Sequence, residues 1–148
     1  MQNLLRSAAA IAAQGMLVAS MQAGKIAMVD ARDVAAVAGA ALTSDGHVGK
    51  TYTITGPAAL SFQEVAQTLS AVTGRSVTYQ DVPLATVQLE LAATGIPAWL
   101  VEVRREFATA LRDGYAAAVT DTVPAVTGQP ARTFDAFARE HAALFRGA

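Results

Sequence analysis

Apolar residues repeat at helical spacing through most of this chain. The first such face predicts a helix over residues 1–14 that ends at Gly15, and it is formed by Leu4, Ala8, Ile11 and Ala12. The same periodicity predicts helices over residues 31–42, 62–73, 84–94 and 98–117, a short helical turn between Thr120 and Gly128, and a last helix after Thr133. Most of the chain is therefore predicted to be helical.

Strand-forming patterns are short and lie between the helices. They occupy residues 16–20, 26–29, 50–55 and 76–82. The clearest is 50–55, where β-branched and aromatic residues alternate before Gly56 and Pro57. Together these elements predict an α/β fold, mostly helical with about four short strands, in a single domain over residues 1–148.

Two helices in the second half have predicted inward faces. In the helix over 98–117 the inward residues are Leu100, Val103, Phe107 and Leu111. In the last helix they are Phe134, Phe137, Ala138, His141 and Leu144. Trp99 follows the break Gly95-Ile96-Pro97, so it is predicted either to pack in the core or to line the mouth of a pocket.

Asp30 and Asp33 stand at the start of the helix over 31–42. Two neighbouring carboxylates are compatible with general acid–base chemistry, but their position predicts an N-cap and the acid of a capping box. Arg32, between them, is predicted to be solvated or ion-paired. Ser61 and Glu64 have the same spacing and predict a second capping box.

Composition narrows the possible partners. The net charge is −1 and there is no basic block, so nucleic acid is not an expected partner. No apolar run reaches the roughly 18 residues of a membrane-spanning helix, so no membrane association is expected. The sequence has no cysteine, which excludes disulfides and thiolate chemistry and is compatible with the cytoplasm, the expected location.

The residues supply no complete catalytic, metal or cofactor site. Gly49-Lys50-Thr51 matches the end of a phosphate-binding loop, but that loop needs glycine where Ser44 stands and a helix where the sequence is strand-like. Neither His47 nor His141 has a second ligand at metal spacing. No catalytic, metal-binding or cofactor-binding residue is therefore assigned.

Four motifs follow one another along the chain. They are MQNLL at residues 1–5, DARDVA at 30–35, KTYTITGP at 50–57 followed by LSF at 60–62, and TGQPARTF at 127–134. In this order and spacing they resemble the C-terminal half of NmrA-like proteins, an atypical group of short-chain dehydrogenases/reductases. The resemblance covers essentially the whole chain.

This resemblance implies a partial Rossmann-type fold. NmrA-like proteins join an N-terminal Rossmann half, whose glycine-rich loop grips NAD(P)H, to a smaller C-terminal substrate lobe. The chain corresponds to the substrate lobe and lacks the dinucleotide-binding half, so NADP or NAD is expected for the family but not for this chain alone. Residues 50–55 would join the sheet of the Rossmann half, so we expect a homo-oligomer or a separate Rossmann-type partner.

The resemblance also places the first helix near the nicotinamide and a small-molecule substrate. Met1, Gln2 and Asn3 are therefore predicted substrate-pocket residues, Asn3 first because its amide both donates and accepts hydrogen bonds. Trp99 is a fourth candidate. The implied function is the substrate-binding portion of an NAD(P)H-dependent oxidoreductase of the quinone- or azo-reducing kind, inactive alone. The alternative is a non-enzymatic module that senses dinucleotide redox state or binds another protein.

Overall fold

Helices dominate the computed structural model, which describes residues 1–147, and they account for 55% of the chain. A 3₁₀ helix (Gln2–Ser7) leads into α1 (Ala8–Gln14), and the other helices are α2 (Ala31–Thr43), α3 (Phe62–Thr73), α4 (Leu84–Ala93), α5 (Ala98–Arg112), α6 (Thr122–Thr127), α7 (Phe134–Glu140) and α8 (Ala142–Arg146). The strands are β1 (Met16–Ala19), β2 (Lys25–Ile26), β3 (Leu60–Ser61) and β4 (Thr78–Asp81). The predicted fold class, mostly helical α/β with few short strands, is confirmed.

The four strands form two separate pairs. β1 runs parallel to β4, with Leu17 opposite Tyr79. β2 runs antiparallel to β3, with Lys25 opposite Ser61. These pairs are too small to bury a sheet face by themselves, so helices supply most of the core.

The strand predicted over residues 50–55 is wrong for the described part of the chain. No strand pairs with this segment there, since the two sheets consist of β1 with β4 and β2 with β3. The carbonyl oxygen of Thr53 instead accepts hydrogen bonds from the hydroxyls of Thr120 and Thr122, each at 2.7 Å. An alternating pattern favours extended backbone, but a strand also needs a neighbour with free N–H and C=O groups. The sequence pattern gave no sign of β3.

The main hydrophobic core lies between α1, α3 and the two C-terminal helices. Its fully buried members include Ile11, Val65, Leu69, Phe137 and Phe145. At the start of α3 the predicted capping box is confirmed, with the Ser61 hydroxyl and the Glu64 carboxylate each bonded to the other's backbone N–H. This cap fixes the first turn of the helix that contributes most to the core.

The single last helix of the sequence analysis is two helices that break at His141. The Nδ1 atom of His141 lies 2.9 Å from the carbonyl oxygen of Phe137, and the two rings stack at 4.4 Å. The break turns α8 relative to α7, so Phe145 is buried while Leu144 is 51% exposed. The predicted inward position of Leu144 is therefore wrong.

The predicted inward face of α5 is also wrong in part. Val103 is 50% exposed and Phe107 is 58% exposed, whereas the buried residue of the helix is Val101. Trp99 is 67% exposed, so its predicted packing in the core is wrong as well. This face of α5 stays exposed because its neighbour, α4, packs against it without burying any residue of its own.

Candidate functional site

An apolar cleft with a volume of about 530 Å³ opens beside the first residues of the chain. Its walls come from the 3₁₀ helix, β1, residues 26–29 and the C-terminal part of α5. The side chains that line it include Met1, Asn3, Ser7, Phe62, Phe107 and Leu111. Small-molecule sites in proteins commonly have volumes of about 300–1,000 Å³, so the cleft is of suitable size.

Hydrogen bonds from three directions hold the floor of the cleft, residues 26–29. The N–H of Ala27 donates to the carbonyl of Ala116 at 2.8 Å, and its carbonyl accepts from the N–H of Gly56 at 3.2 Å. The N-terminal ammonium group of Met1 donates to the carbonyl of Val29 at 2.7 Å. A Cβ on Gly56 would lie 2.0 Å from the carbonyl oxygen of Met28, so only glycine permits this approach. The floor is therefore fixed by segments distant in sequence.

Asp30 joins the floor to α2 as its N-cap, as predicted. Its carboxylate accepts from the backbone N–H of Arg32 at 2.9 Å and from the Gln2 amide at 3.0 Å. The Arg32 guanidinium bonds both carboxylate oxygens and also reaches Glu140 at 2.8 Å, which confirms that Arg32 is ion-paired. This guanidinium holds the pKa of the Asp30 carboxyl well below its usual range. Asp30 thus stays ionised near neutral pH and is unsuited to proton transfer.

Asp33 does not complete a capping box with Asp30. Its buried carboxylate instead accepts from the backbone N–H of Arg132 at 2.8 Å and contacts the Arg132 guanidinium. The predicted capping-box role is therefore wrong, because Arg132, distant in sequence, takes the carboxylate. Both aspartates act as architecture that secures α2, and neither lines the cleft.

The four predicted pocket residues fall in different places. Met1 and Asn3 line the cleft. Gln2 turns toward α2, where its Nε2 donates to Asp30 and its Oε1 accepts from the N–H of Ala31 at 3.0 Å. Trp99 is exposed near the start of α5 and does not line the cleft. The structure thus brings together Met1 and Asn3, while substrate binding by any of the four remains a prediction.

Several lining residues had not been assigned to a site. Ser7 follows Asn3 by four residues in the first helical segment, a spacing that indicated a shared face. The predicted inward face of α5 includes Phe107 and Leu111, and both line this cleft instead, together with Phe62. Apolar periodicity finds such residues but does not distinguish a filled core from an open cleft.

The C-terminal end of α5 is anchored firmly beside the cleft. The Arg112 guanidinium donates to the backbone carbonyl of Ser20 at 2.8 Å and to that of Val82 at 3.2 Å. Gly24 lies so close that a Cβ there would be 2.9 Å from the Cα of Arg112. Phe107 and Leu111, which precede this anchor, are therefore held at the cleft.

None of the cleft's lining residues has an ionisable side chain. The Tyr79 ring lies against Phe62 from outside the cleft lining, with the ring centroids 5.8 Å apart and the ring planes tilted by 48°. Its hydroxyl donates to Asp81 at 2.7 Å. Burial, together with Asp81, raises the pKa of Tyr79 to about 12. The cleft therefore offers apolar contact and a few hydrogen-bonding groups. In residues 1–147 no group of three potential metal ligands is found, and no helix there has the length and apolar character to cross a membrane.

Comparison with known proteins gives a consistent result. No protein-family profile matches the chain. It is 46% identical over 148 residues to an NAD(P)H azoreductase of Xenophilus azovorans, covering 100% of this chain and 52% of that protein. It is 38% identical over 145 residues to a (4-alkanoyl-5-oxo-2,5-dihydrofuran-3-yl)methyl phosphate reductase of Streptomyces griseus, covering 98% of this chain and 51% of that protein.

A solved structure shares the fold. The NADPH-dependent quinone oxidoreductase QOR2 of Escherichia coli, complexed with NADPH, superposes with a TM-score of 0.81 at 28% identity, covering 95% of this chain and 49% of that chain. This chain thus spans about half the length of the curated relatives it matches. The predicted resemblance is confirmed: the chain matches the C-terminal half of relatives that have an NmrA-like, NAD(P)-binding fold.

Proposed function

We propose that this chain is the substrate-binding lobe, a single domain, of an NAD(P)H-dependent oxidoreductase that reduces quinones or azo compounds. The observation that carries the proposal is the apolar cleft beside Met1 and Asn3, in a chain 46% identical to half of an azoreductase. Hydride would pass from the nicotinamide to the acceptor, so this lobe would bind and orient the acceptor. A cytoplasmic location is part of the proposal and accords with the cysteine-free sequence.

The chain alone is expected to be inactive and to bind NADP or NAD weakly or not at all. None of the residues lining the cleft offers an ionisable side chain. Residues 50–55 have the sequence pattern of a strand but lack a partner strand in the described chain, so they suit pairing with a strand supplied by a Rossmann-type polypeptide or by another copy. Activity would then require that second component.

A fusion protein tests the proposal. The N-terminal half of the Xenophilus azovorans azoreductase is joined ahead of Met1, and consumption of NAD(P)H is followed with a quinone and with an azo acceptor. The fusion is expected to turn over, while this chain alone is not. Asn3→Leu removes one hydrogen-bonding group from the cleft and should lower turnover roughly fivefold. Gln14→Leu, at an exposed position on α1 away from the cleft, is the matched control and should leave turnover unchanged.

Two outcomes would contradict the proposal. Saturable micromolar binding of NADPH by the chain alone would show that the lobe is not limited to the substrate. A fusion that binds NADPH but reduces neither acceptor would favour the alternative, a non-enzymatic redox-sensing or protein-binding module.

A further inference from the structure

The charge of the cleft restricts what it can hold. Its lining contains no ionisable side chain, and its charged group, the α-ammonium of Met1, donates to the carbonyl of Val29 at 2.7 Å and interacts with the Asp30 carboxylate. An ionised ligand group would therefore lose water without gaining a counter-ion that is not already compensated. The nearby arginine, Arg112, is already bonded to the carbonyls of Ser20 and Val82 and lies 3.7 Å from Asp81. Uncharged ligands are therefore favoured over charged ones.

Two polar side chains in the cleft are free to bind a ligand. Ser7 occupies the N-cap position of α1, yet its hydroxyl makes no capping hydrogen bond. Asn3 is exposed and also lines the cleft. A hydroxyl and an amide can each donate to a carbonyl or azo nitrogen without carrying charge. The polar part of the site thus matches a neutral hydrogen-bond acceptor.

Aromatic surface supplies the rest of the lining. Phe62 and Phe107 both contribute to the cleft, and Phe107 is 58% exposed although it is held by the anchored end of α5. A large aromatic side chain kept exposed at a cleft indicates a contact made with something else. Aromatic rings favour flat aromatic ligands through stacked or edge-to-face packing.

We infer that this cleft selects neutral, flat aromatic acceptors, with Phe107 as a specificity-determining residue and Ser7 and Asn3 as hydrogen-bond donors. The inference deepens the proposed function and rests on it for the role of the ligand as an acceptor. It also separates this chain from the Streptomyces griseus relative, whose named substrate carries a phosphate. Such an anion would find no cationic side chain in the described lining.

Methionine methyl resonances report binding by the chain itself. The sequence has four methionines, of which Met1 and Met28 line the cleft while Met16 and Met21 do not. Chain labelled with ¹³C in its methionine methyl groups is titrated with menadione, a neutral naphthoquinone, and with 1,4-naphthoquinone-2-sulfonate, its anionic counterpart. Because the sequence has no cysteine, thiol addition to the quinones is excluded. Menadione is expected to shift the Met28 methyl saturably and to bind at least about tenfold more tightly than the sulfonate.

Substitutions then assign the roles. Phe107→Lys places a cation at the cleft and should weaken menadione binding about fivefold while tightening the sulfonate by a similar factor. Val103→Lys, one turn away and 50% exposed but outside the lining, is the matched control and should change neither. Ser7→Ala should reduce menadione binding severalfold while leaving the binding of 2-methylnaphthalene, which has no carbonyl, unchanged.

Each contrary result has a definite meaning. Equal binding of the two quinones, or no Met28 shift with either, overturns the inference. Methyl shifts that change on dilution without ligand would show a second copy of the chain in the cleft, and they would also overturn it. These readouts need no hydride transfer. An inactive fusion combined with selective menadione binding would therefore contradict the proposed function and leave only the selection of neutral, flat aromatic ligands.

Discussion

Two regions of the molecule differ in how far they bury their side chains. One is the side around α2 and α7, and the other is the hairpin of α4 and α5. Around α2 and α7 the carboxylates of Asp30 and Asp33 are buried, and an arginine partners each of them. Phe137 is fully buried there. In the hairpin, α4 has no buried residue and α5 has only Val101. Large apolar side chains such as Phe107 and Trp99 stay exposed.

The difference shows which region finds the partners of its buried groups within the described chain. Buried charges persist only where partners satisfy them, so the α2–α7 side carries its own partners within the chain. The hairpin is anchored at the C-terminal end of α5 by Arg112, and its apolar surface has no covering element among the described residues. Exposed apolar surface of this kind marks a place where a ligand or another polypeptide binds. The comparison predicts that the same substitution has different consequences in the two regions.

Removing a phenylalanine ring should separate the regions most strongly. Phe137→Ala empties a fully buried site in the main core and should lower the free energy of unfolding by about 3–5 kcal/mol. Phe107→Ala removes the same ring from a position that is 58% exposed and should lower it by less than about 1 kcal/mol. Urea unfolding followed by circular dichroism measures both values. Similar losses for the two variants would mean that the hairpin belongs to the core.

Removing a buried charge should have the next largest effect. Asp30→Asn keeps an N-cap but removes the carboxylate that binds Arg32, and it should cost about 2 kcal/mol at neutral pH. Glu140→Gln removes the other partner of the same arginine from an exposed site, so it should change stability little. Both variants remove a carboxylate that binds Arg32, so a difference between their unfolding free energies reports the burial of the carboxylate.

The cost of Asp30→Asn should depend on pH. Arg32 lowers the pKa of Asp30 in the folded state, so the carboxylate stabilises the fold fully above the ordinary aspartate pKa of about 4. This contribution is lost as pH falls through the lower pKa of the folded state. The difference in unfolding free energy between wild type and variant should therefore be constant near neutral pH and shrink below about pH 4. A constant difference throughout acid unfolding would contradict this origin.

The sequence predicted local features of the fold better than contacts between distant segments for a physical reason. Helical periodicity, the Asp30 N-cap and the Ser61–Glu64 capping box depend on neighbours within a few residues, and all of them are present in the structure. The Asp33–Arg132 pair spans 99 positions and had no local signal. Residues 50–55 have the pattern of a strand but no strand partner in the described chain, so local preference alone could not decide their state.

The cleft was predictable only in part for a related reason. Met1 and Asn3, which the family resemblance assigns to a substrate pocket, line the cleft, and their binding of a substrate stays a prediction. Gln2, between them, turns to the opposite side because alternate positions of a helical segment face different neighbours. The apolar stripe of α5 was recognised, but periodicity states that a face is apolar and not what covers it.

Substitution of Trp99 should have the smallest effect on stability, and its fluorescence reports directly whether the hairpin is covered. It is the one tryptophan of the sequence and is 67% exposed, so Trp99→Gln should change the unfolding free energy by less than about 0.5 kcal/mol. In wild type its fluorescence should be that of a hydrated indole and should be quenched readily by acrylamide. If a Rossmann-type half covers the hairpin, the emission of the fusion described above should shift to shorter wavelength and resist quenching. Protected emission in the chain alone would show that the hairpin already buries its apolar face, and the contrast between the two regions would then disappear.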